Sequence, residues 1–228
     1  MQHNSELAAV ATILFQTLRA NNMIKKAKVC LVSCSVLKEE IEQLIKQGDL
    51  DADVVYVSKY FHVDYELVEK NVRKTLEETI PKYHGKVILV YGDLCAGQDN
   101  EMKNLASEYG IAKVDAVNCI DCQLGGKGAF FEADPSHNLM FMGPGMIGFF
   151  KRMKEKMQNE GVDDETFANL FNGIKGIVLL DTCGNIEKCK EELEKTGTAL
   201  TILETRKIGL EKVKQVILDA MEKSPRIN

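Results

Sequence analysis

Four cysteines end or closely follow short apolar segments of the kind that form buried strands. They are Cys34, Cys95, Cys122 and Cys183. In a parallel α/β sheet, ligands bind beyond the carboxyl ends of the strands, so we expect these four thiols to meet above one sheet edge. Thiolates are preferred ligands of zinc and of iron–sulfur clusters. The convergence therefore predicts a thiolate-bound metal or cluster and leaves the reaction open.

A fifth cysteine forms a Cys119-x-x-Cys122 pair at the end of residues 114–122, which we predict to be a buried strand running into the pair. Such a pair suits either a metal chelate or a redox dithiol. Structural zinc sites usually take two closely spaced pairs, and this sequence has one. Ligands that arrive singly from separate strand ends favour an iron–sulfur cluster, which is held by three or four thiolates.

The metal prediction is therefore an iron–sulfur cluster, of the 4Fe-4S type, with zinc as the alternative. Three thiolates would leave one iron open to substrate, whereas four would favour electron transfer or a structural role. The predicted ligands are a core of three thiols and two candidates for a fourth: Cys34, Cys95 and Cys122, with Cys119 or Cys183. Cys30 and Cys189 fall inside a strand and on a helix face, and we assign both to core packing.

Polar residues near the expected edge are candidates for proton transfer. His62 follows the second predicted strand, and Asp121 adjoins Cys122. We assign both as catalytic candidates, although loop packing for His62 and helix capping for Asp121 are open alternatives. Gly125 and Gly126 are candidates for binding an anionic group through their backbone, and a mobile loop is the alternative there. Cys34 precedes a predicted helix, whose free N–H groups favour a thiolate.

The composition is that of an ordinary globular protein, with 45% hydrophobic and 28% charged residues and a net charge of −5. Acidic and basic residues are interleaved, so nucleic acid is not expected as a partner. The apolar run at residues 7–15 is far shorter than the roughly 20 residues that cross a bilayer. No basic residue precedes it, as a signal peptide would require. We expect no membrane association and a cytoplasmic protein, in which seven cysteines favour metal binding or catalysis over disulfides.

Apolar runs alternate with helical patterns along the chain. After a helix predicted at residues 5–22, four successive β-then-α units argue for an α/β fold with a doubly wound, mainly parallel sheet. The second part is less regular and includes a strand predicted at residues 198–203. A glycine-rich stretch at residues 124–145 marks a boundary between two Rossmann-like lobes, residues 1–132 and 133–228, unless the chain is one continuous domain. The site is expected at the carboxyl ends of the strands.

Short motifs in a fixed order resemble those of a known family, domain-of-unknown-function family sixteen thirty-eight. The motifs are Cys34-Ser-Val-Leu-Lys-Glu-Glu-Ile-Glu, Tyr91-Gly-Asp-Leu-Cys95, Asp121-Cys122-Gln-Leu-Gly-Gly and Phe141-Met-Gly-Pro-Gly-Met-Ile. Members occur in methanogenic archaea and anaerobic bacteria and are often encoded near corrinoid-dependent methylamine methyltransferases. The resemblance extends from about Val29 to Cys183, and its specificity lies in the order and spacing of the motifs.

The resemblance implies Cys34, Cys95 and Cys122 as the core of the site and anaerobic one-carbon metabolism as the setting. Proteins of a corrinoid methyltransferase system are the implied partners. The sequence departs from the family pattern at Ile120, where a histidine commonly precedes the Asp-Cys pair. Either Cys119 replaces that ligand or the metal differs.

Three functions follow from these observations. The leading one is an iron–sulfur protein that acts as an accessory enzyme or redox partner in corrinoid-linked methyl transfer. The second is a zinc-thiolate methyltransferase, in which zinc keeps a thiol deprotonated for attack on a methyl group. The third is a module without catalytic activity that binds a metal or corrinoid or docks on a methyltransferase.

Overall fold

The protein is described here by a computed structural model, which covers residues 28–224. Within that range seven strands and nine α-helices alternate. The strands are β1 (Val29–Cys34), β2 (Ala52–Val57), β3 (Val87–Val90), β4 (Ala112–Lys113), β5 (Leu139–Met142), β6 (Gly176–Asp181) and β7 (Ile202–Lys207). The helices are α1 (Lys38–Gln47), α2 (Tyr65–Thr79), α3 (Glu101–Glu108), α4 (Cys119–Leu124), α5 (Ala129–Ala133), α6 (Pro144–Asn159), α7 (Asp164–Asn169), α8 (Ile186–Glu194) and α9 (Glu211–Glu222).

The strands form two sheets, and every strand pair is parallel. The first sheet has the order β2-β1-β3-β4 and the second has the order β5-β6-β7. The predicted α/β class with parallel, helix-flanked strands is therefore confirmed. In the first sheet the chain moves from β1 to β2 on one side and then to β3 on the other, so the direction of winding reverses between β1 and β3. Such a reversal opens a crevice at the carboxyl ends of the two strands.

Alternation along β1 divides the first sheet into two apolar faces. Cys30, Val32 and Cys34 pack on one face beneath α2 and α3, whereas Leu31 packs on the other face beneath α1 and α9. Both faces are covered, as a parallel sheet requires. Cys34 therefore points to the α2 and α3 side, where β3 contributes Tyr91 just beyond its end.

The second sheet is covered on one face by α6, α7 and α8, and its other face receives side chains from α4. Ile120 and Leu124 of α4 pack against Val178 and Leu180 of β6. Helix α9 crosses back and packs on the first sheet through Val213, Val216, Ile217 and Ala220. The two sheets are thus joined by α4, and the last helix of the chain lies on the first sheet although it follows residue 133.

Two predicted strands differ from the structure. The strand predicted at residues 114–122 is wrong, because pairing stops at Lys113 and the Asn118 side chain accepts the N–H of Asp121 to begin α4. The strand predicted at residues 198–203 lies instead at Ile202–Lys207. This strand carries charged residues, including the Glu204–Arg206 ion pair, as an exposed edge strand commonly does. It therefore lacks the run of apolar residues by which the other strands were predicted.

The helix predicted at residues 5–22 lies outside the described residues. Within residues 28–224 no helix is both long and apolar enough to cross a bilayer.

Candidate metal centre

Four thiols lie together at the crevice between β1 and β3. Cys34 is the last residue of β1, and Cys95 lies in the turn that follows β3. Cys119 and Cys122 stand one helical turn apart at the start of α4. Cys95 acts electrostatically on the other three thiols, and Cys34 and Cys122 both act on Cys119. We call these four side chains the thiol group.

Burial dominates the chemistry of the thiol group. Three of its members are buried, with exposed fractions of 3% for Cys34, 7% for Cys95 and 2% for Cys122. Burial raises the pKa of Cys34 to about 12 and that of Cys95 to about 11. It also raises the pKa of Cys119 and Cys122 well above the ordinary range, and neighbouring thiols add to the effect. Without a cation among them, these sulfurs are neutral thiols at physiological pH.

Cys34 is held at the start of a short 3₁₀ helix, Ser35–Leu37. The Val36 N–H donates to Cys34 Sγ at 3.4 Å, which is the contact that the sequence predicts at a helix start. This contact and the Lys59 ammonium both lower the pKa of Cys34, but burial outweighs them. Lys59 Nζ also donates to the Gly145 carbonyl at 2.7 Å, so a cation that acts on Cys34 also contacts the start of α6.

Helix α4 carries Cys119 and Cys122. Cys119 packs against the buried clusters on both faces of the first sheet, and Cys122 belongs to the cluster beneath α1 and α9. The side chain of Asn118 accepts the Asp121 N–H at 2.9 Å, and the Asn118 backbone lies against Gly92. A Cβ at Gly92 would overlap that backbone, so glycine is needed there for α4 to approach β3. Cys119 Sγ lies 3.8 Å from Met146 Sδ at the start of α6.

Tyr91 completes the wall of the crevice, and sequence patterns did not single it out as a functional residue. It is 2% exposed and belongs to the same buried cluster as Cys34 and Cys95. Its hydroxyl oxygen is buried and has no hydrogen-bond partner. Burial, followed by Cys34 and Cys95, raises the pKa of Tyr91. The signal in the sequence was its position directly after β3, four residues before Cys95.

His62 lies beside this wall. Its ring stacks on Tyr91 with a centroid separation of 6.3 Å and an interplanar angle of 4°, and it meets Phe149 edge-on. The Nδ1 atom lies 3.2 Å from the Lys59 carbonyl oxygen. Burial lowers the pKa of His62, so the ring is neutral at physiological pH. The structure therefore places this predicted residue next to the thiol group, behind Tyr91.

Asp121 is fully buried, and its carboxylate accepts three backbone N–H groups. These come from Val117 at 2.8 Å, Gly128 at 3.1 Å and Phe130 at 2.7 Å. The N–H groups of Gly125 and Gly126 both donate to the carbonyl oxygen of Asp121. Neither glycine has a free N–H for an anion, and the arrangement serves to fix the loop that follows α4.

Cys183 lies in different surroundings from the thiol group. Burial raises the pKa of Cys183 to about 12, Glu40, Glu39 and Cys189 add to the rise, and the contact with Thr182 opposes it. Cys183 follows β6, and β6 belongs to the second sheet. Of the cysteines expected at one sheet edge, Cys34 and Cys95 follow strands of the first sheet, Cys122 lies on α4, and Cys183 follows a strand of the second sheet.

A buried polar network near Cys183 connects α1, α4 and the end of β6. Gln123 Nε2 donates to Glu40 Oε1 at 2.7 Å, and Thr182 Oγ1 donates to the same oxygen at 2.8 Å. Glu40 and Gln123 are both 0% exposed. Glu40 Oε2 and Gln123 Oε1 have no hydrogen-bond partner. Burial raises the pKa of Glu40, which favours the neutral acid.

A buried ion pair supports the other side of the crevice. Lys113 Nζ lies 2.7 Å from Asp93 and donates to the carbonyls of Tyr91 and Val114. Burial acts to raise the pKa of Asp93, but its lysine partners outweigh that effect and lower it. The charge of Lys113 also acts to lower the pKa of Cys95, although burial outweighs it.

The thiol group does not have the spacing of ligands around one ion. Among residues 28–224, no three His, Cys, Asp or Glu side chains lie close enough together to hold a single metal ion. Four thiolates around zinc stand about 3.8 Å apart, given a Zn–S bond of about 2.3 Å in a tetrahedral site. Thiolates around the cube of an iron–sulfur cluster are more widely spread.

The sequence matches the profile of one family over residues 56–217, and that family is described as "Protein of unknown function (DUF1638)". The chain belongs to this family. The match confirms the resemblance carried by the ordered motifs, and it includes Tyr91, Cys95 and both cysteines of α4, whereas Cys34 precedes it. No significant match is found among the curated proteins or the solved structures. The family's description assigns no activity, so the function is argued from the site itself.

Proposed function

We propose that the thiol group binds an iron–sulfur cluster and that the protein acts in electron transfer or as an accessory enzyme. The observation that carries this proposal is the meeting of four cysteines at the crevice between β1 and β3, where parallel sheets bind ligands.

The donor set fits such a centre chemically. Iron–sulfur clusters take cysteine thiolates, and a cluster would supply one-electron chemistry or, with an open iron, a Lewis acid. The raised pKa values of the thiols describe the protein without a cation, and a bound cation would deprotonate them. The ligands would come from three separate segments of the chain, which suits a cluster better than the closely spaced pairs of most zinc sites, so we propose a cluster over the zinc alternative.

The number of grouped thiols bears on the type of activity. With Cys34, Cys95, Cys119 and Cys122 all engaged, every ligand would come from the chain, and the redox version is favoured. Cys119 is the most exposed member of the group and lies against Met146. If it stays free, three thiolates remain and the accessory-enzyme version is favoured.

Neighbouring polar residues would support either version. His62 is neutral, lies next to Tyr91 and is our candidate for moving protons near the site. Asp121 would have a structural role, because its carboxylate accepts three backbone N–H groups and so holds the loop after α4 in place. Its negative charge also raises the pKa of Cys122.

For the biological role we propose a cytoplasmic partner of a corrinoid-dependent methyltransferase system in anaerobic one-carbon metabolism. Support for this step comes from the family resemblance, in which members are encoded near such systems. An anaerobic binding assay with a corrinoid methyltransferase and its activating protein tests it, and we expect a complex or electron transfer to the corrinoid. Absence of both would contradict this role and leave the proposed cluster unaffected.

The cluster is tested by measuring iron, zinc and acid-labile sulfide in protein purified without oxygen, together with the visible spectrum. We expect a brown protein with about equal iron and sulfide. Dithionite should bleach its absorption. Serine at Cys34, Cys95 or Cys122 should remove most of both elements, whereas serine at Cys189 should leave them unchanged.

Other outcomes separate the alternatives. Zinc without sulfide, lost in the same variants, would favour the thiol-activating methyltransferase. Absence of metal, with unchanged stability in all variants of the thiol group, would favour a docking or corrinoid-binding module. Equal losses in the Cys189 variant would contradict the assignment of the thiol group as the ligands.

A further inference from the structure

Tyr91 carries a polar atom that its surroundings leave unsatisfied. The side chain is 2% exposed, and its hydroxyl oxygen is fully buried without a hydrogen-bond partner. A buried phenol usually finds a partner, and leaving it without one is unfavourable. Such a group in a closely packed crevice calls for a functional explanation.

Besides burial, the groups that act on this hydroxyl are cysteine thiols. Tyr91, Cys34 and Cys95 belong to one buried cluster, and Cys119 packs against it. The Tyr91 hydroxyl interacts with the Cys34 thiol but makes no well-formed hydrogen bond to it. A neutral thiol is a weak acceptor, whereas a thiolate accepts strongly because a charged acceptor shortens and strengthens the bond.

Contacts to the ring of Tyr91 and to the backbone at Tyr91 and Gly92 hold this side chain in place. His62 stacks on its face, and Phe149 meets the imidazole edge-on. At the backbone, Lys113 Nζ donates to the Tyr91 carbonyl at 3.0 Å, and Gly92 packs against the Asn118 backbone. The hydroxyl therefore stays in the crevice and cannot turn to water without breaking these contacts.

We propose that Tyr91 is a positioning residue whose O–H donates a hydrogen bond to the Cys34 sulfur when that sulfur is a thiolate ligand. This inference rests on the proposed cluster. A hydrogen bond to a ligand sulfur stabilises the more negatively charged, reduced form of the centre. Tyr91 would thus raise the reduction potential of the cluster. Its hydroxyl would gain a hydrogen-bond partner when the cluster binds.

The test compares wild-type protein, Tyr91→Phe and Tyr83→Phe, all purified without oxygen. Tyr83 is the matched control, since its hydroxyl donates to Asp53 at 2.9 Å and it interacts with Cys30, outside the thiol group. Iron and sulfide are measured first, and the reduction potential is then determined by titration with dithionite. We expect Tyr91→Phe to keep its iron and to shift the ratio of oxidised to reduced protein about tenfold toward the oxidised form, which is about 59 mV for one electron.

The outcomes separate this inference from the proposed function. A cluster-containing Tyr91→Phe protein with the wild-type potential overturns the inference and leaves the cluster in place. Wild-type protein that takes up neither iron nor sulfide overturns both. If Tyr91→Phe does not fold, wild-type protein containing 3-fluorotyrosine replaces it, because fluorination makes the phenol a stronger donor. A raised potential in that protein supports the inference, and an unchanged potential overturns it.

Discussion

The Thr182 hydroxyl donates a hydrogen bond of 2.8 Å to the carboxyl group of Glu40, across 142 positions of the sequence. Thr182 follows β6 of the second sheet, and Glu40 lies on α1 against the first sheet. Gln123 of α4 donates to the same oxygen. This network and the bond from Lys59 to the Gly145 carbonyl join elements of the first sheet to elements of the second.

The buried acid in this network predicts a pH dependence of stability. Burial raises the pKa of Glu40 above its ordinary value of 4.5. Above pH 4.5 the unfolded chain therefore releases a proton that the folded protein retains, and the free energy of unfolding falls as pH rises toward the folded pKa. Glu40→Gln has no such proton, so its stability relative to wild type should increase over this range. Chemical denaturation of both proteins between pH 4 and 8 measures this change in relative stability. Each unit by which folding raises the pKa of Glu40 corresponds to about 1.4 kcal/mol.

Glu42→Gln is the control for this prediction. Glu42 lies on the same helix and its side chain is 56% exposed, so its substitution should leave the pH profile unchanged. Parallel profiles for wild type and Glu40→Gln would show that Glu40 ionises normally in the folded state.

The carboxylate of Asp121 predicts a local stability effect. Asp121→Asn replaces one of two acceptor oxygens with an NH₂ group that faces backbone donors, so we expect a loss of about 2–4 kcal/mol. Amide exchange at Gly128 and Phe130, which donate to this carboxylate, should accelerate. Asp115→Asn, at an exposed position nearby, is the control. A loss within about 0.5 kcal/mol of the control would argue against the anchoring role.

Two glycines of α6 differ sharply in their surroundings. A Cβ at Gly145 would overlap the Val36 carbonyl oxygen, which is backbone and cannot easily move. Gly145→Ala should therefore cost about 1–3 kcal/mol and push α6 away from the segment beside Cys34. At Gly148 the nearest atom is Lys59 Nζ at 3.0 Å, the end of a flexible side chain. Gly148→Ala should be neutral or stabilising by up to about 1 kcal/mol through helix propensity.

Thermal unfolding of both variants checks this comparison, since each gains the same Cβ within one helix. Equal melting temperatures would contradict the close contact between Gly145 and Val36. Lower metal content in Gly145→Ala than in Gly148→Ala would further show that this contact supports the thiol group.

The two lysines that pair with Asp93 should contribute unequally. The Lys113 side chain is 9% exposed and Lys127 is 50% exposed. Lys113→Met leaves the buried carboxylate of Asp93 poorly compensated and should cost about 3–5 kcal/mol. Lys127→Met should cost less than about 1 kcal/mol, as surface ion pairs do. Denaturant unfolding of both proteins measures the difference, and equal losses would contradict the role of Lys113 as a buried support of Tyr91.

The sequence by itself determined most of the local structure and the class of fold. Apolar runs such as residues 87–90 have the length and composition of buried strands, and Gly48 ends α1 in a left-handed conformation that glycine adopts freely. The order of these segments predicted parallel strands, and the strand-end rule placed Cys34 and Cys95 at one edge. These features depend on neighbours along the chain, which a sequence shows directly.

Only the tertiary structure decided which distant groups meet. The division into two sheets separated Cys183 from Cys34, because β6 pairs with β5 and β7 instead of joining the first sheet. The cap at Asn118 begins a helix where apolar residues predicted a strand, and this helix carries both Cys119 and Cys122. Strand pairing and buried polar contacts are set by packing between residues far apart in sequence. Periodicity and spacing record only local preference, so they do not contain that information.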